Sequence, residues 1–166
     1  MPTEPEYDVF ISYSSSDETW VRGELLERIE DTGLRAFIDF RDFAPGALSI
    51  REMERGILNC RRTLLVLTPD YIKSGWCEIE STMLQTLDPS NRERRLIPLL
   101  RGQCEMPLCI RTFHRIDFTD GADLNLAWHQ LLTALGKQPT LDPPQDPRRR
   151  DWLFVPPYLV YTPAIP

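Results

Sequence analysis

"YDVFISYSSSDETWVRGELLERIEDTGLRAFIDF", residues 7–40, changes its hydrophobic period in a way that decides the fold class. Residues 7–12 (YDVFIS) are a short apolar run of the kind that makes a buried strand. Beyond them Val21, Leu25, Leu26 and Ile29 fall on one face of a helix. Ser15, with Glu18 three residues on, predicts a capping box at the start of that helix, and Gly33 predicts its stop. A second strand is expected from Leu34 to Asp39. A strand, a helix and a strand in roughly thirty residues make the unit from which parallel sheets are wound.

The pattern continues along the chain. After the loop "FRDFAPGAL" (40–48), Ser49 and Glu52 predict a second capping box and a helix to about Cys60. Thr63 to Thr68 (TLLVLT) is apolar on both faces, as a central parallel strand is. A fourth apolar segment follows at Leu96 to Leu100 and a weaker fifth around Arg115 to Phe118. The final helix carries Leu124, Trp128, Leu131, Leu132 and Leu135 on its apolar side. This alternation predicts an α/β domain, a parallel sheet with helices on both faces, whose ligands bind beyond the carboxyl ends of the strands. The loops after strands one, two and three therefore matter most.

Residues 1–6 read as an N-terminal extension, 7–136 as the domain and 137–166 as a proline-rich linker or packed tail. Arg148 to Arg150 in that tail read as a solvated charge run or a small docking patch. The 166 residues suffice for one domain with its own core. With 19 basic and 25 acidic side chains, the formal charge of −6 argues against nucleic acid or anionic lipid as a partner. No apolar run approaches a bilayer-spanning length, and "MPTEPEYDVF" lacks the basic and apolar regions of a signal peptide, so a soluble, cytoplasmic protein is expected. Cys60, Cys77, Cys104 and Cys109 are expected as reduced thiols. Cys104, Cys109 and His114 match no standard zinc spacing, and no metal or cofactor is expected.

Familiar nucleotide chemistry finds no support. The first strand is not followed by G-x-G-x-x-G, and G-K-[ST] is absent. A phospho-acceptor site would need acidic residues at the end of strand one, which instead ends in Ser12 and Tyr13. His114 and His129 lie in no catalytic motif. The stretch "SGWCEIES" (74–81) is different, because on a helix Trp76 and Glu80, four apart, stack on one face while Glu78 points elsewhere. The two glutamates can simply complement a helix dipole while Trp76 fills a core gap. Alternatively, an indole face attracts a cationic group and a carboxylate stabilises an oxocarbenium-like centre. Nicotinamide on ribose is a cationic leaving group that departs neutral, so it needs one carboxylate where ordinary glycosides need two.

Three stretches in order resemble a TIR domain, the Toll/interleukin-1 receptor module. "YDVFISYSSSD" is similar to the family's first box, and "GLRAFIDFRDFAPG" to its second, with Arg41-Asp42 and Pro45-Gly46 in the BB loop. "GWCEIE" resembles the Trp-x-x-x-Glu segment of members that cleave NAD. The third box is unclear, with "TFHRIDF" its nearest counterpart, which makes an animal receptor-adaptor role less expected, while the compact acidic domain without targeting signals leans, by resemblance, towards a bacterial defence or signalling protein. The resemblance implies a flavodoxin-like three-layer sandwich with a five-stranded parallel sheet. It implies a NAD nucleosidase in immune or antiphage defence, giving nicotinamide with ADP-ribose or a cyclic ADP-ribose and activated by head-to-tail TIR-TIR association that can extend into filaments. A sensor or oligomerising module beyond the tail would suit that role. Glu80 would be catalytic; Tyr13, Ser14 and Trp76 would border the nicotinamide-ribose pocket; Asp39, Arg41 and Gly46 belong to the end of strand two and the BB loop. Tyr13 as core, Asp39 as a loop cap and Gly46 as a turn residue are equally open. A non-catalytic signalling adaptor and another nucleoside N-glycosidase are the alternatives.

Overall fold

The computed structural model describes residues 5–75, 88 and 92–137. In chain order these form β1 (Tyr7–Ser12), the helical segment α1 (15–31), β2 (Ala36–Phe37), α2 (Asp39–Asp42), α3 (Ser49–Asn59) and β3 (Cys60–Leu67). α4 (Pro69–Lys73), β4 (Leu96–Leu100), α5 (Leu108–Arg111), β5 (Ile116–Asp117) and α6 (Leu124–Ala134) follow. The five strands are parallel in the order β2-β1-β3-β4-β5. This is the flavodoxin-like order, so the expected α/β three-layer fold is the observed one.

Alternate side chains of the central strands enter two separate cores. Val9, Ile11, Leu64 and Val66 pack with Val21, Leu25 and Ile29 of α1 and with Trp128 and Leu131 of α6. Phe10, Leu65 and Leu67 face the other way, against Met53 and Ile57 of α3, Tyr71 of α4 and Ile110 of α5. Each such side chain contributes about 1.5–3 kcal/mol on burial, which accounts for the unbroken apolar runs in β1 and β3. The Cys60 thiol, at the start of β3, is pushed up to about 12, chiefly by burial, and is structural. No helix among the described residues is long and apolar enough to cross a membrane.

Several local expectations change. β2 pairs with β1 only through Val9↔Ala36 and Phe10↔Phe37, shorter than the strand expected from Leu34 to Asp39. Polar side chains take the neighbouring amides: Asp8 accepts from Arg35 N–H at 2.8 Å, and Asp42 from Ile38 N–H at 2.8 Å, which draws the chain into α2. Neither capping box forms. Ser15 lies inside an opening 3-10 turn, Ser15–Asp17, and Glu18 pairs instead with Arg22. Leu48 is the N-cap of α3, while Glu52 accepts from Ala44 N–H at 3.0 Å and pairs with Arg55 at 2.7 Å. The effective caps are Thr68, accepting from Tyr71 N–H, and Asp123, accepting from Leu126 N–H. α1 also passes through a π turn at Val21–Leu25, and Leu124 at the start of α6 is 48% exposed rather than in the core.

Gly56 of α3 sits where a Cβ would meet the rings of Phe10 and Phe37 at 3.0 Å. Gly23, also helical, has nothing within 4 Å. Gly56→Ala is expected to destabilise by about 1–2 kcal/mol, because overpacking outweighs the helix propensity that alanine gains. Gly23→Ala should be neutral or stabilising by up to about 1 kcal/mol. Urea unfolding of the two variants checks the difference in sign.

Candidate functional site

The sheet reverses its winding between β1 and β3, and the crevice beyond the carboxyl ends of the strands at such a point is where ligands bind in this architecture. β1 is apolar from Val9 to Ile11 and ends in the buried Ser12, with Tyr13 following it. A pocket of about 210 Å³ opens there, lined by Ser12, Tyr13, Asp39, Phe43, Met53 and Tyr71 among others. Four hydroxyls, those of Ser12, Tyr13, Ser49 and Tyr71, and one carboxylate thus surround a space that also has apolar lining.

Asp39 organises the polar side. Its Oδ1 accepts from the Tyr13 hydroxyl at 2.7 Å and from Phe40 N–H at 2.7 Å, whereas Oδ2 accepts nothing among the described residues. Arg22, in the π turn of α1, donates from Nε to the Tyr13 oxygen at 3.4 Å. Glu18 holds that guanidinium by an ion pair, and Phe40 lies under it with its ring centre 3.9 Å from Cζ. The Tyr13 hydroxyl is pushed up to about 12, by burial first and then by its bond to Asp39, so Tyr13 is a neutral hydrogen-bond donor at physiological pH. On the inner side, the Ser12 and Tyr71 hydroxyls are 3.0 Å apart. Thr68, which caps α4, also donates to Asp17 at 2.8 Å and ties the opening turn of α1 to the end of β3.

The loop after α2 rims this crevice, since Phe43 and Ser49 at its two ends are lining residues. At its tip the Ala44 carbonyl accepts from Ala47 N–H at 3.0 Å across Pro45 and Gly46. Gly46 has φ +82°, the left-handed value that the third position of a type II turn requires.

The sequence-derived site residues are therefore distributed unevenly. Tyr13 and Asp39 meet in the crevice. Ser14 is adjacent, its hydroxyl accepting from Ser16 at 3.1 Å, without lining the pocket. Gly46 is at the loop tip. The Arg41 guanidinium is turned to Glu30 at 2.8 Å, to Asp42 and to the Ala36 carbonyl, where it fastens the loop's base. Trp76 and Glu80 lie outside the described residues. Sequence reasoning missed Arg22 and Tyr71. Glu18 and Arg22 are an i,i+4 pair, and Thr68-Pro69 is a helix-start signal that brings Tyr71 inward; both signals were legible.

A family model of the TIR domain matches residues 9–132. Toll-like receptor 4 of Bos taurus is 31% identical over 154 residues, covering 85% of this chain, and that of Pongo pygmaeus is 38% identical over 146 residues, covering 80%. The chain spans 18% of the length of each of these receptors. Among solved structures, the TIR domain of the Toll-related receptor TRR-2 from Hydra magnipapillata superposes with a TM-score of 0.67 at 28% identity, covering 79% of this chain and 99% of that one. A metazoan TIR-STING receptor from C. gigas, in complex with 2',3'-cGAMP, gives 0.66 at 26% identity, covering 82% and 41%. On its boxes, its strand order and this match, the chain belongs to the TIR domain family.

Proposed function

We propose that this TIR domain cleaves the nicotinamide-ribose bond of NAD in the crevice at the end of β1 when copies of the chain associate. The observation that carries the reading is the Tyr13–Asp39 pair at the winding reversal, with Asp39 Oδ2 accepting nothing among the described residues. A carboxylate oxygen beside a neutral phenol suits the adjacent hydroxyls of a ribose, one accepting and the other donating. The sequence supplies Trp76 and Glu80, four residues apart, as aromatic wall and charge-stabilising carboxylate.

In this reading the glycosidic C–N bond breaks with its electron pair going to the nicotinamide nitrogen. The ring leaves neutral, and the sugar becomes an oxocarbenium ion facing the Glu80 carboxylate. Water adds to that carbon and loses a proton to give ADP-ribose, or the substrate's own adenine attacks to give a cyclic product. The crevice, at about 210 Å³, is smaller than the roughly 300–1,000 Å³ of sites that enclose a small molecule, so it holds only part of the dinucleotide. A neighbouring copy would support the rest. Leu48, 63% exposed, and Ile50, 40% exposed, offer apolar surface beside the BB loop for that contact. The receptor names of the relatives favour a second reading, a non-catalytic TIR-TIR signalling module that uses the same loop.

Nicotinamide release, followed by chromatography, separates the two readings. Glu80→Gln is expected to lower it by about 10²–10³-fold with folding intact, whereas Glu78→Gln should change it only a few-fold. Equal losses would remove Glu80 from its role. Rate per chain should also rise with protein concentration and then plateau; a constant value in a sample that light scattering shows to be monomeric would mean that one chain holds the whole site. Gly46→Val forces a β-branched residue to φ +82° in open space, so its effect should stay within the loop and weaken assembly. If turnover vanished while sedimentation showed unchanged association, the loop would act on substrate directly.

A further inference from the structure

A second cavity, of about 560 Å³, opens at the opposite end of the sheet, where β4 and β5 begin beside α6. Its volume is within the range of sites that enclose a small organic ligand. Ile97, Phe113, Ile116 and Ala134 make the walls apolar. The rim carries Arg94 together with His114 and His129, the chain's two histidines, and none of the described lining residues is acidic.

The positive charge here is under-neutralised. Arg94 has no ion pair among the described residues, and it is held at φ +52°, the one non-glycine position among them in the left-handed region. Nearby on β3, Arg62 has its Nε buried without a hydrogen-bond partner, and its guanidinium lies close to Gly136 just after α6. Burial lowers the Arg62 pKa, and the like charges of Arg94 and Arg61 lower it further. A chain of net charge −6 thus keeps a corner in which Arg94, at the cavity, lies close enough to Arg62 for their like charges to repel. An anion would relieve that repulsion, and the walls call for an apolar body attached to it.

We propose that this cavity binds a small amphipathic anion, an organic carboxylate or sulfonate whose apolar body lies among Ile97, Phe113 and Ile116 while its anionic group meets Arg94. The site is separate from the crevice at the end of β1, and nothing in it depends on NAD cleavage. Its described polar lining is the guanidinium of Arg94, the two imidazoles, the Gln130 amide and the Thr133 hydroxyl, each of which can donate to an anion.

Anilinonaphthalene sulfonate, an apolar body with one sulfonate, is a suitable probe, and uncharged phenylnaphthylamine is its control. Fluorescence titration of the full chain should give one saturable sulfonate site per chain. Arg94→Gly should weaken the sulfonate by about tenfold or more and leave phenylnaphthylamine unchanged. Glycine suits φ +52°, so this variant keeps the fold. Thr133→Trp, which places an indole in the cavity from α6, should remove both probes. Sulfonate binding unchanged by both variants overturns the proposal. So does one site per two chains in a sample that sedimentation shows to be dimeric, because the cavity would then be filled by a second copy.

Discussion

Burial of β1 and β3 on both faces is the constraint from which the rest of the molecule follows. A strand covered on both sides has no place for polar side chains along its length, so they collect at its ends. Ser12 and Tyr13 at the end of β1, and Thr68 at the end of β3, are where apolar runs give way to hydroxyls. Because the winding reverses between these two strands, the helices leave them in different directions and the hydroxyls face a crevice. The same constraint fixes Gly56, since α3 can approach Phe10 and Phe37 so closely only without a side chain.

Two kinds of support meet at that crevice. The sheet and α1 hold Tyr13 and Asp39 through Arg22, Glu18 and Phe40, a set of contacts that leaves one carboxylate oxygen unused among the described residues. The loop beside it is tied only at its base. Arg41 reaches Glu30 and Asp42, Arg55 donates to the Asp42 carbonyl, and Glu52 takes Ala44 N–H. From Pro45 to Leu48 the chain is exposed. A fixed polar cluster next to a loop whose tip is anchored by its own turn suits a site that a neighbouring copy completes.

Much of this was legible in the sequence, and the failures have physical causes. β1 and β4 were readable residue for residue, because apolar runs flanked by turn signals and arginines admit little else. Gly33 and Gly46 were readable from their neighbours, and both have positive φ. The capping boxes were misread because Glu18 and Glu52 had stronger partners in Arg22 and in the Ala44 amide with Arg55, contacts set by tertiary structure. β2 is short because Asp8 and Asp42 compete for its amides, which no periodicity reveals. Of the site, Tyr13 and Asp39 came from family resemblance rather than from spacing, and their hydrogen bond could not be foreseen. Arg22 was legible as the i,i+4 partner of Glu18, but its reach to Tyr13 depends on tertiary structure. Trp76 and Glu80 rest on their spacing and on that resemblance.

The central claim is that the crevice at the end of β1 receives the nicotinamide-ribose half of NAD. The most direct test is an NMR titration of isotope-labelled Glu80→Gln protein with NAD, in which slow turnover leaves the complex observable. The account predicts saturable shifts at Ser12, Tyr13, Asp39 and Tyr71, with residues at the far end of the sheet such as Ile97 and His129 unmoved. Shifts confined to that far end, or none at NAD concentrations that support turnover by the unaltered chain, would contradict it.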